Sequence, residues 1–117
     1  MKPRKEIELI VRIWRTRVLP QHEAAYEDFA RERSLPMFRE QVGFLGVFFA
    51  KSAPERAVIT LWRDQDDVRR LEESPTYRQT VEQIIQAGIL DGASDVEVLV
   101  THGYELATVM LNSDEMR

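Results

Sequence analysis

The stretch from Gly43 to Asp64, GFLGVFFAKSAPERAVITLWRD, limits the possible folds more than any other part of the sequence. Its alternating residues predict two strands, about Phe44–Lys51 and Arg56–Arg63, joined by a short hairpin loop. Both alternating faces of this hairpin are largely apolar. An antiparallel sheet with one solvated face carries polar residues on that face, so this hairpin needs cover on both sides.

Symmetric pairing about the loop would sort the hairpin side chains onto two faces, because successive strand residues point in opposite directions. The first face would carry Leu45, Val47 and Phe49 with Val58, Thr60 and Trp62. The second would carry Phe44, Gly46, Phe48 and Ala50 with Ala57, Ile59 and Leu61.

The flanking segments predict two further strands. Period-two alternation with β-branched residues indicates a strand over Glu6–Arg15 and a last strand from Val96 to about His102. A first helix begins at Pro20, where a proline is tolerated in the opening turn. We expect Ser34-Leu35-Pro36 to interrupt that helix, because the proline ring clashes with the preceding turn.

Two cap signals follow the hairpin. Asp64 is placed to cap a short helix that runs through Leu71, with Asp67 three residues on. Ser74-Pro75 indicates a second start, with a capping hydroxyl followed by proline at the first helical position. This helix carries Tyr77 and Ile84 on its apolar face.

The element order is therefore strand, helix, strand, strand, helix, strand. Right-handed crossovers and a central hairpin predict a ferredoxin-like α+β fold, a four-stranded antiparallel sheet with the helices on one face. The 117 residues fit a single domain, with a core over about residues 6–105 and a C-terminal tail over 106–117.

Helices on one side of this sheet leave its other apolar face uncovered. We expect a second copy of the chain to cover it, so that two sheets pack face to face in a homodimer, a dimeric α+β barrel. The alternative is that the C-terminal tail folds back over the sheet.

Composition excludes several classes of protein. The chain has no cysteine, which excludes a disulfide scaffold, a thiolate metal site and a cysteine nucleophile. The net charge is −4 and no basic stripe alternates with aromatics, so we expect no nucleic-acid partner. No window approaches the roughly 20 apolar residues that span a bilayer. We expect a cytoplasmic protein without a membrane partner.

The sequence resembles the antibiotic biosynthesis monooxygenase family, whose domains form dimeric α+β barrels. The likeness runs from about Glu6 to Glu105. The segments that carry it are IVRIWR from Ile10, AAYEDFARE from Ala24, VGFLGVFF from Val42, ITLWRDQDDVRRLEESPTYRQTV from Ile59 and VEVLVTHGYEL from Val96.

That resemblance implies either a cofactor-independent oxygenase acting on phenolic compounds, a haem-degrading enzyme or a member without known activity. The haem-degrading branch carries a histidine where this chain has about Val81, and an asparagine in its first strand, which here contains none. Only Trp62 matches that branch. The resemblance therefore disfavours haem degradation and implies no cofactor.

A cofactor-free oxygenase needs a group that deprotonates a phenol or stabilises its anion inside a dry pocket. We identify His102 and Arg12 as the catalytic candidates. His102 ends the last predicted strand, where an imidazole could act as the base, although a structural role is the alternative. Arg12 could hold a phenolate or carboxylate, or else form an ion pair with Glu8 or with an interface glutamate.

Four aromatic residues are the substrate-binding candidates: Trp14, Trp62, Tyr77 and Phe49. Trp62 either lines a pocket or fills the core, and Tyr77 either donates its hydroxyl to a ligand or packs as a core aromatic. Tyr26 carries the same ambiguity. With two histidines far apart in the sequence, we expect no metal site.

The leading functional hypothesis is a monooxygenase-like enzyme that oxidises a small aromatic or phenolic substrate between sheet and helices. A non-catalytic ligand-binding or stress-associated dimer with the same pocket is the alternative. A structural dimer with a filled pocket is the third.

Overall fold

The computed structural model describes residues 7–107, and this part of the chain contains four strands and four α-helices. The strands are β1 (Ile10–Arg17), β2 (Phe44–Ser52), β3 (Glu55–Trp62) and β4 (Asp95–Val100). The helices are α1 (Glu23–Phe29), α2 (Leu35–Arg39), α3 (Gln65–Glu73) and α4 (Pro75–Gln86). None of the helices in this described part is both long and apolar enough to cross a membrane.

The strands form one antiparallel sheet in the order β2-β3-β1-β4. This order and the helices packed on one face confirm the predicted ferredoxin-like α+β fold. β1 lies at the centre, where Ile10 pairs with Trp62 on one side and with Val100 on the other.

The first strand begins later than predicted. β1 starts at Ile10 because Leu9 has a left-handed backbone, with φ of +58°. The backbone N–H groups of Glu8 and Leu9 both donate to the carbonyl of Arg63, at 2.9 and 3.4 Å, so regular pairing is broken there. The predicted start at Glu6 lies outside the described residues.

The predicted interruption at Pro36 is wrong. The chain stays helical from Glu23 to Arg39, and a π-helical turn over Ala30–Ser34 precedes the proline. A π-helical turn is wider than an α-helical turn, so a different carbonyl group faces the proline ring. The wider turn also accommodates the loss of the hydrogen bond that proline cannot donate. The helix thus passes the proline without ending.

The hairpin faces differ from the prediction at one residue. Val47 and Phe49 lie opposite Thr60 and Val58, as expected. However, the pairing shifts between Phe44 and Gly46, so that Phe44 lies opposite Trp62 and on its face. An extra residue in one strand moves every residue before it to the other side of the sheet.

Both predicted caps are confirmed. The Asp64 carboxylate accepts a hydrogen bond from the backbone N–H of Asp67 at 2.9 Å at the start of α3. The Ser74 hydroxyl accepts one from the backbone N–H of Tyr77 at 3.3 Å at the start of α4. These short-range contacts satisfy N–H groups that the helices leave without partners.

The core lies between the sheet and the helices. Its main cluster joins three strand residues to α2 and α3: Ile10, Val58, Trp62, Met37, Phe38, Val68 and Leu71. The opposite face of the sheet, called the open face here, carries Val11, Ile13, Phe48, Ile59, Leu61 and Leu99. Phe48 is 59% exposed on this face, and the other five residues are also at least partly exposed.

Candidate functional site

A small cavity lies between the helix-covered face of the sheet, the first helical segment (residues 20–39) and α4. Its volume is about 40 Å³, measured as the space that the centre of a water molecule can occupy. Most of its lining is apolar or aromatic: Trp14, Tyr26, Phe29, Ala30, Met37, Phe38, Val58, Val81 and Ile84. Arg12, Ser34, Tyr77 and Thr80 complete it. Room for a few waters is well below the roughly 300 Å³ of ordinary ligand pockets.

Arg12 and Tyr77 form the polar end of this cavity. The central strand β1 places Arg12 on the helix-covered face, opposite Thr60, with 4% of the residue exposed. Its Nε donates to Glu72 Oε2 at 3.1 Å, and its Nη2 donates to the Tyr77 hydroxyl at 2.9 Å. The ion pair with Glu72 satisfies a cation that burial would otherwise destabilise.

This arrangement leaves a usable proton at the cavity wall. The Tyr77 oxygen accepts from Arg12, so its own proton remains available to a bound oxygen atom. The Arg12 guanidinium also lies over the Tyr77 ring, 5.1 Å from its centroid, so its positive charge is close to that hydroxyl. Such a pair can hold a phenolate or carbonyl oxygen, because charge-assisted hydrogen bonds are the stronger kind.

Tyr26 of α1 adds a second hydroxyl to the lining. Desolvation by burial raises the pKa of Tyr26 to about 12, against the lowering effect of the Arg56 charge. Tyr26 therefore stays protonated through neutral pH and serves as a donor, not as a base.

The raised pKa of Tyr26 predicts a loss of stability in alkali. Ionisation is easier in the unfolded chain, so stability is complete below pH of about 10 and falls as pH rises towards about 12. The full effect is of order 3 kcal/mol. We expect Tyr26→Phe to flatten this alkaline limb in urea unfolding, whereas Tyr104→Phe at an exposed site leaves it unchanged. An unchanged limb in Tyr26→Phe would contradict the assignment.

Three predicted site residues meet in the cavity: Arg12, Trp14 and Tyr77. They come from β1 and from the first turn of α4, which the fold brings together on the helix-covered face. Their functional roles remain predictions. The sequence alone left open which sheet face borders the pocket, and the cavity described here lies on the helix-covered face.

Trp62 lies in the core and not at the cavity wall. It is fully buried, and its ring packs edge-on against Phe38 and Phe44 at centroid distances of 6.5 and 5.7 Å. Its indole N–H donates to Thr60 Oγ1 at 2.8 Å. Of the two interpretations of Trp62, the structure places it in the core.

Phe49 and His102 lie apart from this cavity. Phe49 is partly exposed on β2 and borders a separate groove beside α1. His102 follows the end of β4 and is exposed. Neither is among the residues that line the Arg12 cavity, and their proposed roles remain predictions.

Glu72 is the contact that sequence reasoning missed. Glu72 accepts a hydrogen bond from Arg12, although the two residues are 60 positions apart in the chain. No local sequence pattern indicates a pair at that separation. The helical spacing of Phe29 and Ala30 from Tyr26 was a weak indication that these residues share one face of the helix. Within residues 7–107, no group of three or more histidine and carboxylate side chains is arranged to hold a metal ion.

These features define a ferredoxin-like α+β domain with a small, polar-ended cavity between sheet and helices. The family model described as antibiotic biosynthesis monooxygenase matches residues 9–83. The chain therefore belongs to the antibiotic biosynthesis monooxygenase family, which confirms the resemblance seen in the sequence. The comparison with curated proteins found no significant match.

Solved structures share the fold. A protein of unknown function from Nitrosomonas europaea has a TM-score of 0.71 at 18% identity, covering 90% of this chain and 100% of its own. A monooxygenase from the gene ActVA-Orf6 of Streptomyces coelicolor, in complex with nanaomycin D, has a TM-score of 0.71 at 16% identity, covering 87% and 94%. SnoaB, a cofactor-independent oxygenase from Streptomyces nogalater, has a TM-score of 0.67 at 18% identity, covering 83% and 96%. At these identities the likeness shows the fold alone.

Proposed function

We propose that this protein is a cofactor-independent monooxygenase-like enzyme that oxidises a small aromatic or phenolic substrate in the Arg12 cavity. The observation that carries the proposal is the Arg12–Tyr77 pair, which forms a polar end in an otherwise apolar and aromatic space. Membership of the family and the likeness to two oxygenases support it.

The chemistry needs little from the protein beyond binding and charge stabilisation. Arg12 and the Tyr77 hydroxyl hold the substrate oxygen and favour its anionic form, which passes an electron to dioxygen. For an anthrone, one oxygen atom becomes the new carbonyl and the other leaves as water. The substrate supplies all four electrons that reduce dioxygen, and its two CH2 hydrogens leave in the water, so the reaction balances.

Substrate binding requires the cavity to widen. Trp14 and Phe29 are only partly buried, so their rings can turn outward without unfolding the core. In this proposal the entering ring displaces the few waters that the cavity can hold.

The test is oxygen consumption with anthrone and with 1,4-dihydroxynaphthalene, after subtraction of the rate without protein. We expect turnover by the unaltered chain and a fall in kcat/KM of about 100-fold in Arg12→Lys, since a lysine cannot hold both Glu72 and Tyr77. Arg69→Lys, at an exposed position of α3, is the matched control and keeps full turnover. Equal rates in Arg12→Lys and the unaltered chain would contradict the role of Arg12.

A non-catalytic ligand-binding protein is the second candidate. It is favoured by the lining itself, since none of the described residues that line the cavity is a histidine or a carboxylate. Binding of anthrone that quenches Trp14 fluorescence, without oxygen consumption for any substrate, would select this candidate.

We further propose a homodimer formed through the open face of the sheet. This face carries exposed Phe48 and Leu99 beside Ile13, Ile59 and Leu61, and a contiguous apolar surface of this kind is typical of an interface. Of the alternative cover, the tail after Gly103, the described residues up to Ala107 are exposed, and the rest lies outside the described residues.

Phe48→Asp is expected to shift the protein from dimer to monomer in sedimentation at micromolar concentration, because a carboxylate would be buried without a partner. Ile85→Asp on α4 is the control, since Ile85 is equally exposed at 57% but lies on a helix. A monomeric unaltered chain under these conditions would rule the dimer out.

A further inference from the structure

A second concavity, called the Arg56 groove here, lies between the start of the first helical segment and the end of the β2–β3 hairpin. Its volume, measured as the space that the centre of a water molecule can occupy, is about 530 Å³. This volume is within the usual range of ligand sites. Its lining comprises Pro20, Gln21, Glu23, Ala24, Tyr26, Glu27, Phe49, Ala50, Lys51 and Arg56. Tyr26 borders both this groove and the Arg12 cavity.

Arg56 is the buried cation of this groove, with 3% of the residue exposed. Its Nη1 donates to the carbonyl oxygens of Ala53 and Glu55 at 2.7 and 3.2 Å, which fixes the guanidinium plane. Its Nε and Nη2 are buried without a hydrogen-bond partner among residues 7–107. These two nitrogens form one edge of the guanidinium, with their N–H groups side by side.

An unpaired edge of this kind is unfavourable in isolation, because a buried donor loses its hydrogen bonds to water. Glu23 is the nearest carboxylate described, with Oε2 at 3.4 Å from Nη2 but not in hydrogen-bonding geometry. Glu23 is also 53% exposed, so its side chain can swing out of the groove. The edge thus matches a planar carboxylate, which accepts two parallel N–H bonds.

The surroundings select the kind of anion. Phe49, Ala24 and Ala50 supply apolar walls beside the Tyr26 ring, over which the Arg56 guanidinium lies at 5.7 Å from the centroid. Lys51 pairs with Arg56 across the hairpin and adds a second positive charge on the same face.

Glu23 and Glu27 offset these two cations within the groove. A ligand with one negative charge and an apolar body is therefore favoured over a phosphate with two, because each added negative charge faces both carboxylates.

We propose that the Arg56 groove is a second ligand site, distinct from the Arg12 cavity, that binds aromatic monocarboxylates. The carboxylate accepts two hydrogen bonds from the Nε and Nη2 edge of Arg56, and the ring lies against Phe49 and Tyr26. Glu23 gives way on binding. This site goes beyond the proposed oxygenase activity and does not depend on it.

Calorimetric titration with 1-naphthoate tests the site, and 1-naphthamide serves as a neutral probe of the same shape. We expect heat of binding for naphthoate and none for naphthamide. We expect Arg56→Lys to weaken naphthoate binding by about tenfold or more, because lysine keeps the positive charge but cannot donate a bidentate pair of hydrogen bonds. Glu23→Gln tightens it by about threefold, since it removes the nearest like charge. Arg69→Lys is the control and leaves the dissociation constant unchanged.

A second readout identifies the residue in contact. In nitrogen-edited NMR, naphthoate should shift the side-chain Nε–H signal of Arg56, assigned by its loss in Arg56→Lys, and leave that of Arg12 in place. If Arg56→Lys does not fold, this shift and the Glu23→Gln titration decide the question.

Three results would overturn the proposal. They are absence of naphthoate binding in both the unaltered chain and Glu23→Gln, equal binding of naphthamide, and loss of binding in Arg12→Lys with Arg56 signals unmoved. The last would place the acid in the Arg12 cavity. Loss of oxygenase turnover alone affects none of these measurements, so the two proposals fail separately.

Discussion

Replacement of Trp62 by alanine is expected to destabilise the fold by about 4 kcal/mol, the size typical of a buried tryptophan lost from a core. The ring is fully buried between Phe38 and Phe44, and its N–H is bonded to Thr60. Truncation therefore leaves a cavity at the junction of β3, α2 and the start of β2. Urea unfolding followed by circular dichroism measures the loss.

The control for this prediction is Trp62→Phe, which keeps a ring against Phe38 and Phe44 but removes the indole donor. We expect it to lose about half as much as the alanine variant. A loss below about 1 kcal/mol in Trp62→Ala would mean that Trp62 is not part of the core.

Gly43→Ala is the second change with a large expected effect, about 3 kcal/mol. Gly43 has φ of +81°, a left-handed conformation that alanine adopts at a cost. A Cβ there would also overlap Asp67 Oδ2 and lie 2.7 Å from Asp67 Cβ. Asp67 has no room to move, because it is fully buried and bonded to Arg63 and Arg70.

Two other glycines separate the causes of this effect. Gly88 has a φ of +72° and nothing within 4 Å of an added Cβ, so Gly88→Ala isolates the backbone strain, about 1 kcal/mol. Gly46 has an ordinary φ and meets only Leu61 at 3.8 Å, so Gly46→Ala should change stability little. If Gly43→Ala is no worse than Gly88→Ala, the clash with Asp67 is not real.

The fold was predictable to the extent that its signals are local. Alternation of apolar residues predicted all four strands, and the capping residues Asp64 and Ser74 predicted where α3 and α4 begin. The element order then leaves few topologies, because crossovers are right-handed and hairpin strands pair. The ferredoxin-like sheet follows from these facts.

The errors in the fold came from single residues. The shift between Phe44 and Gly46 changes the face of Phe44, and no feature of GFLG distinguishes a bulge from a regular strand start. The packing of Phe44 against Phe38 at 6.0 Å stabilises the bulged register. The π-turn before Pro36 likewise keeps Met37 and Phe38 in the core, which an interrupted helix would not guarantee.

The candidate site was predictable only in part. Arg12, Trp14 and Tyr77 stood out as polar or aromatic residues within apolar patterns, and all three line one cavity. Trp62 stood out for the same reason yet lies in the core, since a sequence cannot distinguish an aromatic residue that lines a cavity from one that fills it.

The sequence by itself determined the strands and the helix starts, because alternation and capping residues act over a few residues. Only the tertiary structure decided which polar atoms meet. The bonds from Arg12 to Glu72 and Tyr77, and the unpaired edge of Arg56 beside Glu23, join elements far apart in the chain. Such contacts depend on packing distances of a few ångströms, which no local pattern encodes.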